Sequence, residues 1–168
     1  MSLADQGLCR QGDMQISVKG RDYFELIRGT DEEAELFARV RVISVNSVRI
    51  PEKPPFSRKY WEADNVLVLR FDDVDPSDPF LFQGTRFMSE TDAEAIAAFV
   101  ESPDPRPIVV HCTAGISRSG AIGASLNEYF NRKLSQDEAA RQAFWIAHPY
   151  INPNLHVMKL LWKRLGIG

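Results

Sequence analysis

Two periods of apolar residues alternate along this chain, and the switches between them mark out its elements. Val40 to Val45 is β-branched and alternating, and Asn65 to Arg70 is a second run of that kind; both predict strands. Pro107-Ile108-Val109-Val110 is short, continuous and apolar, as a buried strand is. Met14 to Val18 and Tyr23 to Ile27 fit short strands as well. Helices announce themselves by their caps. Thr30-Asp31-Glu32-Glu33 and Thr91-Asp92-Ala93-Glu94 read as capping boxes, the first opening a helix to about Ala38. In the second, Ala95, Ile96, Phe99 and Val100 supply one apolar face. Small and apolar residues from Ser119 to Phe130 suit a helix packed closely on a sheet. Ser135-Gln136-Asp137-Glu138 caps a helix through about Ala147, and Asn152-Pro153-Asn154 starts a terminal one closed by Gly166.

Strands alternating with helices predict an α/β fold: one domain over residues 1–168, core about 14–166, with a central, mostly parallel sheet flanked by helices. Ser47 to Glu62, with three prolines, reads as an irregular loop. Composition changes this picture little. Hydrophobic residues make up 44% and charged residues 26%, which excludes disorder and a membrane-embedded chain. The net charge of −3 gives no general attraction to nucleic acid or anionic lipid. With no signal-peptide core in the first 20 residues, a cytoplasmic location is expected. Two cysteines, Cys9 and Cys112, are too few for a disulfide framework. Oligomeric state is not legible.

The chemistry concentrates in Val-His-Cys-Thr-Ala-Gly-Ile-Ser-Arg-Ser-Gly, residues 110–120. A strand that turns through a tight loop into a helix is an anion site, because backbone N–H groups converge there and the helix dipole adds positive charge. Cys112 opens the loop and Arg118 closes it. A thiol in that field ionises readily, and the planar guanidinium matches two oxygens of a tetrahedral anion. Gly115 lets the backbone approach the anion, Ser119 can hydrogen-bond the sulfur, and His111 is placed to orient the loop from behind. The chemistry indicated is phosphoryl transfer through a cysteinyl-phosphate.

His-Cys-x5-Arg-Ser, from His111 to Ser119, resembles the signature of the cysteine-dependent protein tyrosine phosphatases, and the short chain is more similar to their dual-specificity branch. The resemblance extends from about Arg41 to Leu165. It implies Cys112 as nucleophile, Arg118 as phosphate clamp, and the amides of Thr113, Ala114, Gly115, Ile116, Ser117 and Arg118 as the oxyanion cradle. It also implies a general acid on a mobile loop after another strand. Asp72-Asp73-Val74-Asp75-Pro76-Ser77-Asp78-Pro79 follows the Asn65–Phe71 strand, and Phe-Asp-Asp is similar to the family pattern. Asp73 is therefore expected to be the acid, Asp72 second, Asp75 third, with Asp78 outside these three. No cofactor or metal is expected; His148 and His156 lack neighbouring ligands at metal-site spacing.

The expected substrate is a phosphorylated protein or peptide, phosphotyrosine first, with phosphoserine and phosphothreonine also open. Small phosphate esters such as phosphoinositides or nucleotides are the alternative, with a silent phosphate-binding module as the rival from another class. No lysine lies within Thr113–Ser117, which disfavours a highly charged inositol head group. Arg49, Lys53, Arg58 and Lys59 lie beside Phe56, Tyr60 and Trp61, and this loop reads either as a pocket wall or as aromatics docked on the core.

Overall fold

The computed structural model describes residues 14–79 and 81–168; Cys9 lies outside them. Four strands form one sheet: β1 (Ile16–Lys19), β2 (Arg41–Asn46), β3 (Val66–Arg70) and β4 (Ile108–His111). Their order is β1-β4-β2-β3 and every pairing is parallel. The α/β class is thus as expected, with the sheet wholly parallel. Helices α1 (Arg21–Ile27), α2 (Asp31–Arg39), α3 (Glu90–Glu101), α4 (Arg118–Asn127), α5 (Glu138–Ala147) and α6 (Leu155–Leu165) cover it, and α4 runs on as a π-helical stretch, Glu128–Leu134.

Successive strand residues face opposite sides, so one sheet serves two cores. Ile43, Val45, Ile108 and Val110 join Ile96, Ala121, Ile122 and Leu161 on one side. Val42, Val66 and Val109 join Phe24, Phe37 and Phe56 on the other. Ser44, Asn46 and His111 alternate with the first set and so share the face of the second. The helix α4 lies close against the sheet because Gly123 has no side chain; a Cβ there would stand 2.4 Å from Val18 Cγ2.

Three local expectations are corrected. Tyr23–Ile27 is helical, part of α1, and not a strand. Phe24 is buried while Leu26 is exposed, and Ile27 returns to the core side, a spacing of three that five residues cannot distinguish from two. The second capping box lies two residues earlier than Thr91: Ser89 Oγ accepts from Asp92 N at 3.2 Å, and Asp92 Oδ2 accepts from Ser89 N at 2.9 Å. Met88 before it is buried in the same core as Ala93, and Glu94 instead pairs with Arg164. Thr30 does cap α2, but the Glu33 carboxylate reaches past it to Gly29 N, at 3.2 Å, and to Ser57. The remaining caps are Asp137, Asn154 and, at φ +65°, Gly166. Ser47 to Glu62 is irregular apart from one 3-10 turn, Arg58–Tyr60.

Candidate active site

The end of β4, the following loop and the start of α4 put Cys112 and Arg118 together. Gly115 has φ +75°, and its missing side chain is a requirement: a Cβ would stand 2.5 Å from Gly20 N and from Lys19 C. The loop is thereby seated on the backbone after β1, where Arg21 N also donates to Thr113 O at 3.1 Å. Among the described residues, no protein acceptor is recorded for the N–H of Thr113, Ala114, Ile116 or Ser117. Those donors converge with the N-terminus of α4, as an anion cradle requires.

Cys112 is buried, with Ser119 Oγ 3.0 Å from its sulfur. Burial opposes the thiolate and is the largest single influence. The Ser119 hydroxyl and N–H, the Arg118 charge and the Gly115 N–H outweigh it, holding the thiol below its ordinary value. Arg118 is buried too. Its Nη1 donates to Ser47 Oγ at 2.9 Å and to Phe71 O at 2.8 Å, and its Nη2 to Thr113 Oγ1 at 2.7 Å. Among the described residues Nε is buried with no hydrogen-bond partner.

His111 orients the loop from behind through a directional chain. Arg21 Nη1 donates to Asn46 Oδ1 at 3.1 Å, and Asn46 Nδ2 donates to Ser44 Oγ at 3.1 Å. The Ser44 hydroxyl then faces His111 Nε2 at 2.6 Å, and His111 Nδ1 faces the Cys112 carbonyl at 3.1 Å. The carbonyl can only accept, so Nδ1 carries the proton and Nε2 accepts from Ser44. Burial, first among the causes, takes the His111 pKa down to about 4, and the ring is neutral.

The four aspartates of the next loop separate by role. Asp72 is buried and accepts from Val48 N at 3.0 Å, Arg49 N at 3.2 Å and Arg86 N at 2.8 Å. Burial raises its pKa, but these backbone donors more than offset that and hold it below the ordinary carboxylate range. It ties the loop to its neighbours and is committed as an anion. Asp75 accepts from Ser77 N at 2.8 Å and Ser77 Oγ at 2.7 Å, closing a turn. Asp78 lies exposed in the same turn. Asp73 reaches the Cys112 loop: Ser117 Oγ donates to its Oδ1 at 2.7 Å. Asn154 Nδ2 donates to that same oxygen at 2.9 Å and to Val74 O at 3.2 Å. Both donors converge on Oδ1, so Oδ2 is the oxygen on which a transferable proton can sit.

Sequence reasoning missed several of these contacts, that of Ser44 with His111 among them. Asn154 was legible only as a helix start, and it is one: its Oδ1 accepts from Val157 N at 3.1 Å. Nothing local shows that its amide reaches Asp73, 81 residues upstream. Glu52 accepts from Thr113 Oγ1 at 2.9 Å and from Ser47 N at 2.8 Å, bracing the loop from outside. Ser47 holds Arg118. Conversely, the aromatics near Arg58 dock on the core. Phe56 is fully buried, Tyr60 stacks on Phe37 with centroids 4.2 Å apart, and Trp61 Nε1 donates to Phe56 O at 2.9 Å. His148 accepts from Val18 N at 3.1 Å and donates to Phe144 O at 2.7 Å, and so is structural. Among the described residues no group of three or more His, Cys, Asp and Glu could hold a metal ion, and no helix is long and apolar enough to cross a membrane.

A parallel sheet whose inner strand runs through His-Cys-x5-Arg-Ser into a buried helix brings a thiol, an arginine and a turn of free amides to one point. Several solved structures are similar to this chain. The active form of Tk-PTP matches at 20% identity over 95% of this chain and 97% of that one, with a TM-score of 0.49. Human DUSP28 matches at 23% identity over 90% and 91%, TM-score 0.47. PTPMT1 matches at 20% identity over 94% and 95%, TM-score 0.49. No family model matches the chain, and no curated protein matches it either.

Proposed function

We propose that the protein is a phosphatase that hydrolyses phosphate monoesters through a cysteinyl-phosphate, with phosphotyrosine in proteins as its first substrate. The observation that carries this is the meeting of three groups at one loop: a thiol of lowered pKa, a buried arginine with an unsatisfied Nε, and a carboxylate hydrogen-bonded to the loop's own serine.

In the first step the Cys112 thiolate attacks phosphorus. Arg118 and the loop amides bind the non-bridging oxygens, whose charge they match best in the transition state. Asp73 gives its proton to the ester oxygen as the P–O bond breaks, and the alcohol or phenol departs. In the second step the Asp73 carboxylate takes a proton from water, the hydroxide oxygen bonds to phosphorus, and the S–P bond breaks. Ser119 then donates to the sulfur as it recovers its negative charge, which makes it a better leaving group. Orthophosphate is the second product. Every step uses groups of this chain.

Side-by-side turnover of a phosphotyrosyl peptide, a phosphoseryl peptide and phosphoinositide vesicles tests the reading. The phosphotyrosyl peptide should be hydrolysed fastest, and Cys112→Ser should hydrolyse none of them. Faster turnover of the vesicles overturns the protein-substrate assignment. Turnover of nothing by the wild type leaves a phosphate-binding module instead.

A further inference from the structure

Strand β1 is an edge of the sheet, and side chains cap its outward backbone on either side of one gap. Ile108 N donates to Gln15 O at 3.0 Å, and the parallel register matches Ile16 with Ile108 and Val18 with Val110. In such a pair the residues flanking each matched position make the bonds. Gln15, Ser17 and Lys19 therefore turn N–H and C=O toward β4, and Met14, Ile16 and Val18 turn theirs away. At Met14, Asn131 Oδ1 accepts from N and Asn131 Nδ2 donates to O, each at 3.3 Å. At Val18, His148 Nε2 accepts from N at 3.1 Å and the Tyr150 hydroxyl donates to O at 2.9 Å. Among the described residues nothing bonds the outward N–H or C=O of Ile16, which is buried. A sheltered donor and acceptor left open favour any group that completes both.

The gap opens into a hollow of about 450 Å³. Consecutive residues Gln15, Ile16 and Ser17 all line it. Neighbours in a strand point to opposite faces, so what they present together is the strand's edge. The facing wall belongs to α5, where Ala140, Ala143 and Ala147 leave room and Phe144 adds a ring. Among the described residues that line the hollow there is no carboxylate, and Lys19 is the one cation. The walls are apolar and the polar groups few, as in a site for a small molecule.

We propose that this hollow binds a neutral small molecule carrying a carboxamide on an apolar body. The amide oxygen accepts from Ile16 N and the amide nitrogen donates to Ile16 O. The chain holds the template two residues away, where the Asn131 carboxamide makes this pair of bonds to Met14. One amide unit fits and a longer strand does not, because Asn131, His148 and Tyr150 already occupy the positions on either side. Asn131 and His148 are fixed there: Asn131 Nδ2 also donates to Asn127 Oδ1 at 2.9 Å, and His148 Nδ1 donates to Phe144 O at 2.7 Å. A carboxylate offers acceptors and no donor, so it satisfies half of the pair. Ile16 lies level with Ile108, four residues before Cys112 and on the neighbouring strand. The inference is therefore independent of the phosphatase reading.

The test titrates the full, isotope-labelled chain with benzamide, N,N-dimethylbenzamide, benzoate and acetamide while its backbone amide resonances are followed. Benzamide should move the Ile16 N–H resonance saturably and to lower field, as a hydrogen bond forms there. Dimethylbenzamide keeps the ring and the acceptor but has no donor, and benzoate likewise; each should bind about tenfold more weakly. Acetamide keeps the pair but has no apolar body, and should also bind more weakly than benzamide. Ala143→Phe, at an exposed position of α5, fills the hollow and should abolish the response. Unchanged resonances away from α5 and β1 show that this variant is folded, and Ala143→Leu serves if it is not. Five results overturn the proposal: no saturable binding of benzamide up to its solubility, saturation without a response at Ile16, equal affinity for benzamide and dimethylbenzamide, tighter binding of benzoate, or undiminished binding to the folded variant.

Discussion

Acidification should destabilise this protein through its buried histidines, His111 foremost, before its carboxylates are protonated. The His111 ring is fully buried, and both nitrogens are spoken for: Nδ1 donates to the Cys112 carbonyl and Nε2 accepts from Ser44. A second proton would replace that acceptor with a donor, in a site where desolvation already disfavours charge and Arg21 and Arg118 add repulsion. The folded pKa is about 4, against an ordinary value of 6.5. The unfolded chain therefore takes up the proton first as the pH falls. The stability contributed by neutral His111 is complete above about pH 6.5 and is lost progressively down to about pH 4. A displacement of that size is worth about 3 kcal/mol in full, of which about 2 kcal/mol is gone by pH 5. Urea unfolding of the wild type and of His111→Gln at pH 7 and pH 5 isolates this share, because the other titrating groups are common to both. The wild type's advantage should shrink by about 2 kcal/mol between the two pH values. An advantage that is the same at both would refute the buried, neutral ring. Should His111→Gln fail to fold, the ring-carbon shifts of the wild type serve: His111 should remain neutral at pH 5, and a charged ring there would refute the reasoning equally.

Asp73→Asn should slow turnover of a phenyl phosphate by about a hundredfold or more, far less with a leaving group of low pKa, and should flatten the alkaline limb of the pH–rate profile. Asp72→Asn should leave that leaving-group dependence intact and lower the melting temperature, since it removes a buried anion that satisfies three backbone donors; the opposite pattern would exchange their roles. Asn154→Ser keeps a helix-capping oxygen but loses the amide that holds Asp73. It should copy the Asp73→Asn leaving-group dependence more weakly, and the two substitutions together should cost little more than Asp73→Asn alone. Additive losses would show that Asn154 acts elsewhere. Arg118→Lys should fall nearly as far in kcat/KM as Arg118→Ala, because charge without the planar fork cannot hold Ser47, Phe71 and substrate together; near-normal activity would reduce Arg118 to a source of potential.

What the sequence made legible was local. Cys112, Arg118 and Ser119 lie within eight residues, and strand, loop and helix each carry their own pattern, so their meeting followed from adjacency. The expected general acid was harder to choose, since Phe71-Asp72-Asp73 offers two adjacent carboxylates. Only the fold turns Asp72 toward the backbone of Val48, Arg49 and Arg86, and Asp73 toward Ser117. Asn154, Glu52 and Ser44 were invisible as site residues because their partners lie 81, 61 and 67 positions away. The error at Tyr23–Ile27 has another origin: in so short a segment, apolar spacing does not separate helix from strand, and docking of Phe24 against Phe37 and Phe56 decides it.

The central claim, that phosphate passes through the sulfur of Cys112, is tested most directly by trapping. The wild type and Ser119→Ala would be mixed with radiolabelled aryl phosphate, quenched in acid within one turnover, digested, and the labelled peptide sequenced. Ser119→Ala removes the donor that stabilises the departing thiolate, so the intermediate should accumulate in it. Label should be found on the peptide containing Cys112, more in Ser119→Ala than in the wild type, and none in Cys112→Ser. Turnover without covalent label in either protein, or label on any residue other than Cys112, would contradict the account.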